Sequence, residues 1–277
     1  MDACVTLSAA RSMHRNQPLD SIEILFLGTG TSAGVPMIGC HCAVCSSSDP
    51  RDRRTRTSAL ISYAAARVLV DTSPELRLQC VANGVDRIDA VVYTHAHADH
   101  IMGLDDVRRF NALRGGPLDV WADERTHLAL GRAFAYAFEA PPADSKLFRP
   151  HLVRRTISGP FQIGGRTWIP IPLLHGQLPI LGFRVGNLAY CTDVSKIPES
   201  SFALLEGLDV LVLDALQREK HTTHFTLEEA MEAADRIGAR QTLFTHIAHR
   251  MAHEATNQTL PTRMQLAHDG QRATTTG

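Results

Sequence analysis

His95-Ala96-His97-Ala98-Asp99-His100 follows, after Thr94, on the apolar run Asp89-Ala90-Val91-Val92-Tyr93, at the point where a buried strand meets a loop. On an extended or tightly looped backbone His95 and His97 point to one side, so two neutral ring nitrogens can grip one cation. Asp99 and His100 lie just beyond and face a neighbouring position suited to a second cation. Imidazoles this close repel one another once protonated, and a buried histidine without a partner is costly. A solvated polar loop that happens to contain histidines is the competing reading; metal binding is favoured over it.

The rest of the chain suits that reading. Its 277 residues form one large domain or two small ones, with a core of substantial size. A formal net charge of -1 with interspersed signs makes no electrostatic case for nucleic acid or membrane. The 14 histidines are the compositional outlier. Three of the six cysteines fall in Cys40-His41-Cys42-Ala43-Val44-Cys45, a spacing that suits a metal clip better than disulfides, which would be strained in so short a run. Met1 to Asp20 has no apolar segment of signal-peptide length, and no run is long enough to span a membrane. A cytoplasmic protein is expected, with residues 1–20 a disordered extension and 21–277 one domain carrying the clip at 40–45.

Ile22 to Leu27 reads as a core strand running into Gly28-Thr29-Gly30-Thr31-Ser32-Ala33-Gly34-Val35-Pro36. No amphipathic helix follows to aim a dipole at phosphates, so close backbone packing is the expected use of these glycines. Arg51, Arg53, Arg54 and Arg56 read as a solvated loop, with some of them available to an anionic substrate. Ala59–Ser62 and Arg67–Asp71 form a hairpin, and Ser73 caps a helix carrying Leu76, Leu78 and Val81. Helices follow over Gly103–Leu113 and over Glu124–Phe138, the latter stopped by Pro141-Pro142. The apolar segment Arg166–Leu174 delivers His175, and a hairpin turned at Gly186-Asn187 delivers Asp193. Asp209–Asp214 is another buried strand. Thr226-Leu227-Glu228-Glu229 is a capping box opening a helix that Gly238 closes, and Gln241–Thr245 ends at His246. The chain beyond His253 is polar and weakly patterned, without a final apolar strand. Strand-rich halves with interspersed helices predict an α/β fold, two mixed sheets face to face with helices outside. Asp71, His95, His175, Asp193, Asp214 and His246 all sit at strand ends, which would line a groove at the rim of that sandwich.

These residues resemble the metallo-β-lactamase superfamily: a His-x-His-x-Asp-His motif after an apolar strand and Thr94, then His175, Asp193 and His246 in order, over roughly 22–250. Within it the chain is similar to the accessory phosphodiesterases of carbon–phosphorus lyase pathways, which open a phosphoribosyl cyclic phosphate. That likeness rests on the cysteine run paired with Thr245-His246-Ile247-Ala248-His249, and on His224 in Thr223-His224-Phe225-Thr226. It implies a structural zinc on Cys40, Cys42, Cys45 and His249. It also implies one catalytic metal on His95, His97 and His175, a second on Asp99, His100 and His246, and Asp193 bridging them. Zinc or manganese would fill these positions, or iron. The implied chemistry is attack by a metal-bridging hydroxide on a small cyclic phosphate ester or cyclic nucleotide, with His224 and Asp99 as catalytic residues and phosphonate metabolism as the setting. His221 has a weaker claim than His224, and Asp71 and Asp214 are candidates to orient ligand imidazoles. The alternatives are another hydrolase of this fold, cleaving a thioester, a lactam or RNA, a cofactor-biosynthesis oxygenase, or a binding protein that retains the metal site. The expected partner is a small anionic substrate, without membrane or nucleic acid, and a homodimer is the assembly to test.

Overall fold

Ile24 and Phe26 face one way along the first strand and Leu25 and Leu27 the other, yet all four are buried. A strand covered on both faces needs a layer on each side of its sheet. The computed structural model, which describes residues 21–64, 66–139 and 148–275, supplies those layers.

Six strands follow in chain order: β1 Glu23–Gly28, β2 Ser58–Tyr63, β3 Ala66–Val70, β4 Ala90–Val92, β5 Leu118–Ala122 and β6 Leu152–Thr156. The next seven build a second sheet: β7 Phe161–Ile163, β8 Arg166–His175, β9 Leu178–Val185, β10 Leu188–Cys191, β11 Val210–Asp214, β12 Gln241–Thr245 and β13 Met264–Leu266. The last, β14 Arg272–Thr274, returns to pair antiparallel with β1. The strand orders are β14-β1-β2-β3-β4-β5-β6 and β13-β12-β11-β10-β9-β8-β7. Each sheet is mixed: β3 to β6 run parallel, as do β10 to β13, beside antiparallel neighbours. This is the α/β sandwich that the strand pattern predicted.

Between the sheets Phe26, Ile61, Val70, Val92, Trp168, Phe183, Tyr190 and Val212 form the central core. Outside the first sheet, Leu69, Val91 and Val120 pack on Leu76, Leu104, Phe110 and Leu130 from the helical segments. Outside the second, Leu211, Leu213 and Phe244 pack on Leu227, Ala230 and Ala234 of the helix Leu227–Ile237. That helix starts with the expected capping box, Thr226 and Glu229 exchanging hydrogen bonds of 3.0 and 3.1 Å, and ends at Gly238 with φ 71°.

Other expectations are corrected. The helix Leu76–Ala82 begins after Glu75 without a side-chain cap; Ser73 Oγ instead donates to Gln79 Oε1 at 2.9 Å. Its buried face is Leu76, Gln79 and Cys80, while Leu78 and Val81 point to solvent. Seven residues make too few turns for the apolar positions alone to choose the face; docking against the sheet chooses it. The helix from Glu124 stops at Ala133, before a short 3-10 turn Ala135–Ala137; Pro141-Pro142 lies outside the described residues, as do residues 1–20. The C-terminal chain is built in after all. Asp269 accepts from Thr29 and Thr55 through both backbone N–H groups and both hydroxyls, and Ala273 is buried beside β1. A three-residue edge strand needs only one inward side chain, so it leaves almost no alternation to read.

The glycine loop is used for close packing, as expected. A Cβ on Gly28 would sit 2.1 Å from the Arg56 carbonyl oxygen, and one on Gly30 2.7 Å from that of Arg54. Among the described residues no helix is long and apolar enough to cross a membrane.

Candidate metal centre

Six side chains of the site stand where the chain leaves the C-terminal end of a strand. Asp71 follows β3, His95 follows β4 by way of Tyr93 and Thr94, and Asp193 follows β10; His175 and Asp214 are the last residues of β8 and β11, and His246 follows β12. The short helix Ala98–Ile101 folds Asp99 and His100 back towards them. Asp71, Asp193 and His246 adopt φ of 60°, 59° and 59°. Side chains other than glycine rarely take this left-handed conformation, and it survives where the surroundings hold it in place. Here it turns three side chains inward at once.

Two groups of donors result. His95, His97 and His175 bring their ligand atoms within 4.8 Å of one another, and so do Asp99, His100, Asp193 and His246. Asp193 lies between the groups: its Oδ2 is 3.9 Å from His95 Nε2 and 3.3 Å from His246 Nε2, and its Oδ1 is 3.3 Å from His100 Nε2. The Nε2 atoms of His95, His100 and His246 are buried with no hydrogen-bond partner. Leaving such atoms unpaired costs roughly 1–3 kcal/mol each, so three together mark places where something else must bind. Neutral imidazoles with carboxylates in this arrangement fit divalent cations.

The electrostatics agree. Burial drives His95 well below its ordinary range, reinforced by His100. At His100 burial also opposes charge, but Asp193 and Asp71 outweigh it and raise the group well above the usual histidine value. Asp193 is itself buried, yet His246 and His100 hold its carboxyl well below the carboxylate range. A bound cation would replace these shared protons.

Outer partners set the tautomers. His100 Nδ1 donates to Asp71 Oδ2 at 2.8 Å, and Asp71 also accepts from the Thr94 backbone and hydroxyl at 2.9 and 2.8 Å. With its hydroxyl proton used there, Thr94 accepts from His95 Nδ1 at 3.0 Å. His175 Nδ1 donates to the Thr223 carbonyl at 2.7 Å. In each case Nε2 is left with its lone pair towards the centre. Asp71 was legible from its strand-end position; Thr223 was not, because a backbone acceptor leaves no mark in the sequence.

His224 lies over this centre. Its ring stacks on His246 at 4.7 Å and 13°, and meets His175 edge-on at 4.5 Å. Asp214 Oδ2 contacts His224 Nδ1 at 3.1 Å and accepts from the Phe225 N–H at 3.2 Å. Burial, then His246, pushes His224 down to about 3, and burial raises Asp214 well above the carboxylate range.

The cysteines form a separate group. Cys40, Cys42, Cys45 and His249 bring their ligand atoms within 4.8 Å, and His249 Nδ1 lies 3.3 and 3.4 Å from the Cys40 and Cys42 sulfurs. His41 is not among them. The Cys45 backbone N–H, with His249, holds the Cys42 thiol down to about 6. Three sulfurs and one imidazole form a closed four-donor set suited to zinc.

The arginine stretch departs from expectation. Arg54 is fully buried, donating to Asp52, to the Ala248 carbonyl at 3.1 Å and to the Met251 carbonyl at 2.7 Å, so it ties the loop bearing His246 and His249 to the segment that carries Asp52. Arg51 pairs with Asp49 and Glu254, and Arg56 with Glu75. Only Arg53 of the four is exposed. Asp49 and Asp52 stand beside Arg51 and Arg54 in the chain, whereas Glu75 and Glu254 are distant in sequence, which hid that part of the pairing.

The beta-lactamase superfamily domain matches residues 66–247. A crystallographically characterised diphosphatase from the PhnP family is 44% identical, covers 92% of this chain and 97% of its own, and superposes with a TM-score of 0.85. Zn2+-bound PqqB from Methylobacterium extorquens shares the fold at 20% identity, over 91% of this chain and 99% of that one, with a TM-score of 0.69. An octanoyltransferase of Porphyromonas gingivalis is 36% identical over 256 residues, 91% of this chain but 51% of that protein, so the chain spans about half its length.

Proposed function

Since the chain belongs to the metallo-β-lactamase superfamily and is a metal-dependent hydrolase resembling the PhnP family, we propose that it hydrolyses small phosphate esters at a two-metal centre. His95, His97 and His175 would hold one ion, and Asp99, His100 and His246 the other, with Asp193 between them. The observation that carries this is the trio of buried, unpartnered Nε2 atoms grouped around the Asp193 carboxylate. Bound there, two divalent ions would supply a water of lowered pKa and positive charge against the phosphoryl oxygens.

The protein's own groups do the remaining work. Asp71, Thr94 and the Thr223 carbonyl fix the imidazole tautomers. His224 is neutral, and burial favours a proton on Asp214. With that proton donated to His224 Nδ1, the Nε2–H is left facing the substrate, placed to donate to the departing oxygen. Cys40, Cys42, Cys45 and His249 would hold a structural zinc. The buried and paired arginines no longer argue for an anionic substrate; His224 and the PhnP-family likeness do.

Two substrate types are in view. A cyclic phosphate ester follows from the sequence resemblance, and a diphosphate follows from the relative that is a diphosphatase. The test is metal analysis together with turnover of bis(p-nitrophenyl) phosphate, a cyclic ribose phosphate, a cyclic nucleotide and a dinucleoside diphosphate. His224→Ala should cut turnover by about a hundredfold or more while metal content stays intact. Loss of metal in that variant, or an unchanged rate, rejects the role of His224; no hydrolysis of any of the four by metal-loaded protein rejects the reading. Oxygen consumption by an iron-loaded protein would favour the oxygenase alternative instead.

A further inference from the structure

His221 stands beside the centre in an orientation that the residues described so far do not require. Its Nδ1 accepts from the Thr223 backbone N–H at 3.3 Å and from the Thr223 hydroxyl at 3.2 Å. A ring nitrogen that accepts an amide proton carries its lone pair, so in the neutral ring the proton sits on Nε2. That Nε2 has no protein partner among the described residues, and the side chain is half-buried rather than free in solvent. The ring lies 5.2 Å from that of His224, which in turn lies 4.5 Å from His175 and 4.7 Å from His246. His221 thus continues the row of imidazoles one step outward from the reacting position.

Thr223 locks this placement. Its backbone N–H and hydroxyl orient His221, its carbonyl orients His175, and a Cβ on Gly176 would come within 2.9 Å of its Cγ2. One residue therefore sets a centre-facing imidazole and the outward donor together. The nearby cations do not compete for the position: Arg218 is paired with Glu228, Lys220 with Glu229 and Arg250 with Glu219. A neutral donor fixed one ring beyond His224 suits an oxygen of a second phosphoryl group. A single-phosphoryl diester has no such oxygen to offer there.

We propose that His221 is a substrate-binding residue that donates from Nε2 to the second phosphoryl group of a diphosphate ester, selecting diphosphates over single-phosphoryl diesters. This rests on the hydrolase reading above and specifies its substrate class. In the reaction a water oxygen forms a bond to one phosphorus, and the bond from that phosphorus to the bridging oxygen breaks. The leaving phosphate keeps the bridging oxygen and the electron pair and takes the Nε2 proton of His224, which takes the Asp214 proton at Nδ1; the proton lost by the water passes to solvent, and Asp214 regains one from there. His221 stays hydrogen-bonded to the leaving phosphate.

The experiment compares P1,P2-di(adenosine-5′) diphosphate with bis(p-nitrophenyl) phosphate for the wild type, His221→Ala and His221→Gln, with metal content measured on each. A hydrogen bond to a charged oxygen predicts a loss of about tenfold in selectivity for the diphosphate in His221→Ala, appearing mainly in KM. Glutamine, whose amide reaches the same position, should restore most of it. Equal losses on both substrates, no loss, a loss confined to kcat, or failure of glutamine to rescue would each overturn the proposal. Wild-type protein that cleaves the diester but not the diphosphate also overturns it and leaves the phosphodiesterase reading standing; protein that cleaves neither overturns it too, and the hydrolase reading falls with it only when the cyclic ribose phosphate and the cyclic nucleotide are also left intact.

Discussion

Asp214 Oδ2 lies 3.1 Å from His224 Nδ1, while its Oδ1 is 3.7 Å from His246 Nδ1. One fully buried carboxyl thus touches a proposed proton donor and faces a proposed metal ligand. Asp214→Asn should keep the metal, because an amide oxygen can still face His246. Turnover should nevertheless fall by about tenfold to a hundredfold. The amide nitrogen would face the Phe225 N–H that Oδ2 now accepts, and it has no proton to exchange with His224. Asp214→Ala should lose metal as well. Steady-state kinetics beside metal analysis separate the two effects, and full activity in the asparagine variant would remove Asp214 from proton handling.

The cysteine group makes a prediction independent of turnover. Cys42 lies within reach of His249 and close to Cys45. Cys42→Ser should remove about one zinc per chain and lower Tm by more than about 5 °C, since structural zinc contributes directly to folding. Unaltered zinc stoichiometry would count against the clip.

Arg54 links the two centres mechanically. Its guanidinium satisfies Asp52 and two carbonyls in the loop carrying His246 and His249. Arg54→Met leaves two buried carbonyls without this donor and the buried Asp52 carboxylate without its counter-charge, held by the His253 N–H, a change expected to cost about 3–5 kcal/mol. Chemical denaturation measures that loss, and the zinc of the clip should become easier to remove with a chelator. A variant as stable as the wild type would mean that the loop holds itself.

His253 gives a pH signature away from the proposed ligands. Burial, then Arg51, pushes it from 6.5 down to about 4, and its Nε2 accepts from the Asn257 amide at 2.9 Å. The unfolded chain takes up this proton near 6.5 while the folded one resists until about 4. Its contribution to stability is therefore fully present above 6.5 and fades as pH falls between those values. His253→Gln should show a shallower fall in Tm from pH 7 to pH 5 than the wild type, and identical slopes would exclude the effect.

Many of the site residues could be read from the chain because local pattern carries them. Apolar runs ending in Asp71, His95, His175, Asp193, Asp214 and His246 were visible as strand ends, and parallel ladders place such ends on a common rim. Thr226 and Gly238 announced their helix for the same local reason. Leu78 and Val81 misled because propensity and periodicity over seven residues do not specify which side meets the sheet. Arg54 misled because its partners Ala248 and Met251 are nearly 200 residues away.

By itself, the order of residues determined the donor types, the strands that deliver them and the α/β class, since alternation and capping act over a few neighbours at a time. Tertiary structure decided which side chains meet: it set Asp193 between two histidine groups, gave Thr223 both His175 and His221, and buried Arg54 against the Ala248 and Met251 carbonyls. Those meetings depend on how two twisted sheets close face to face and on three residues held at positive φ, and no short-range pattern encodes either.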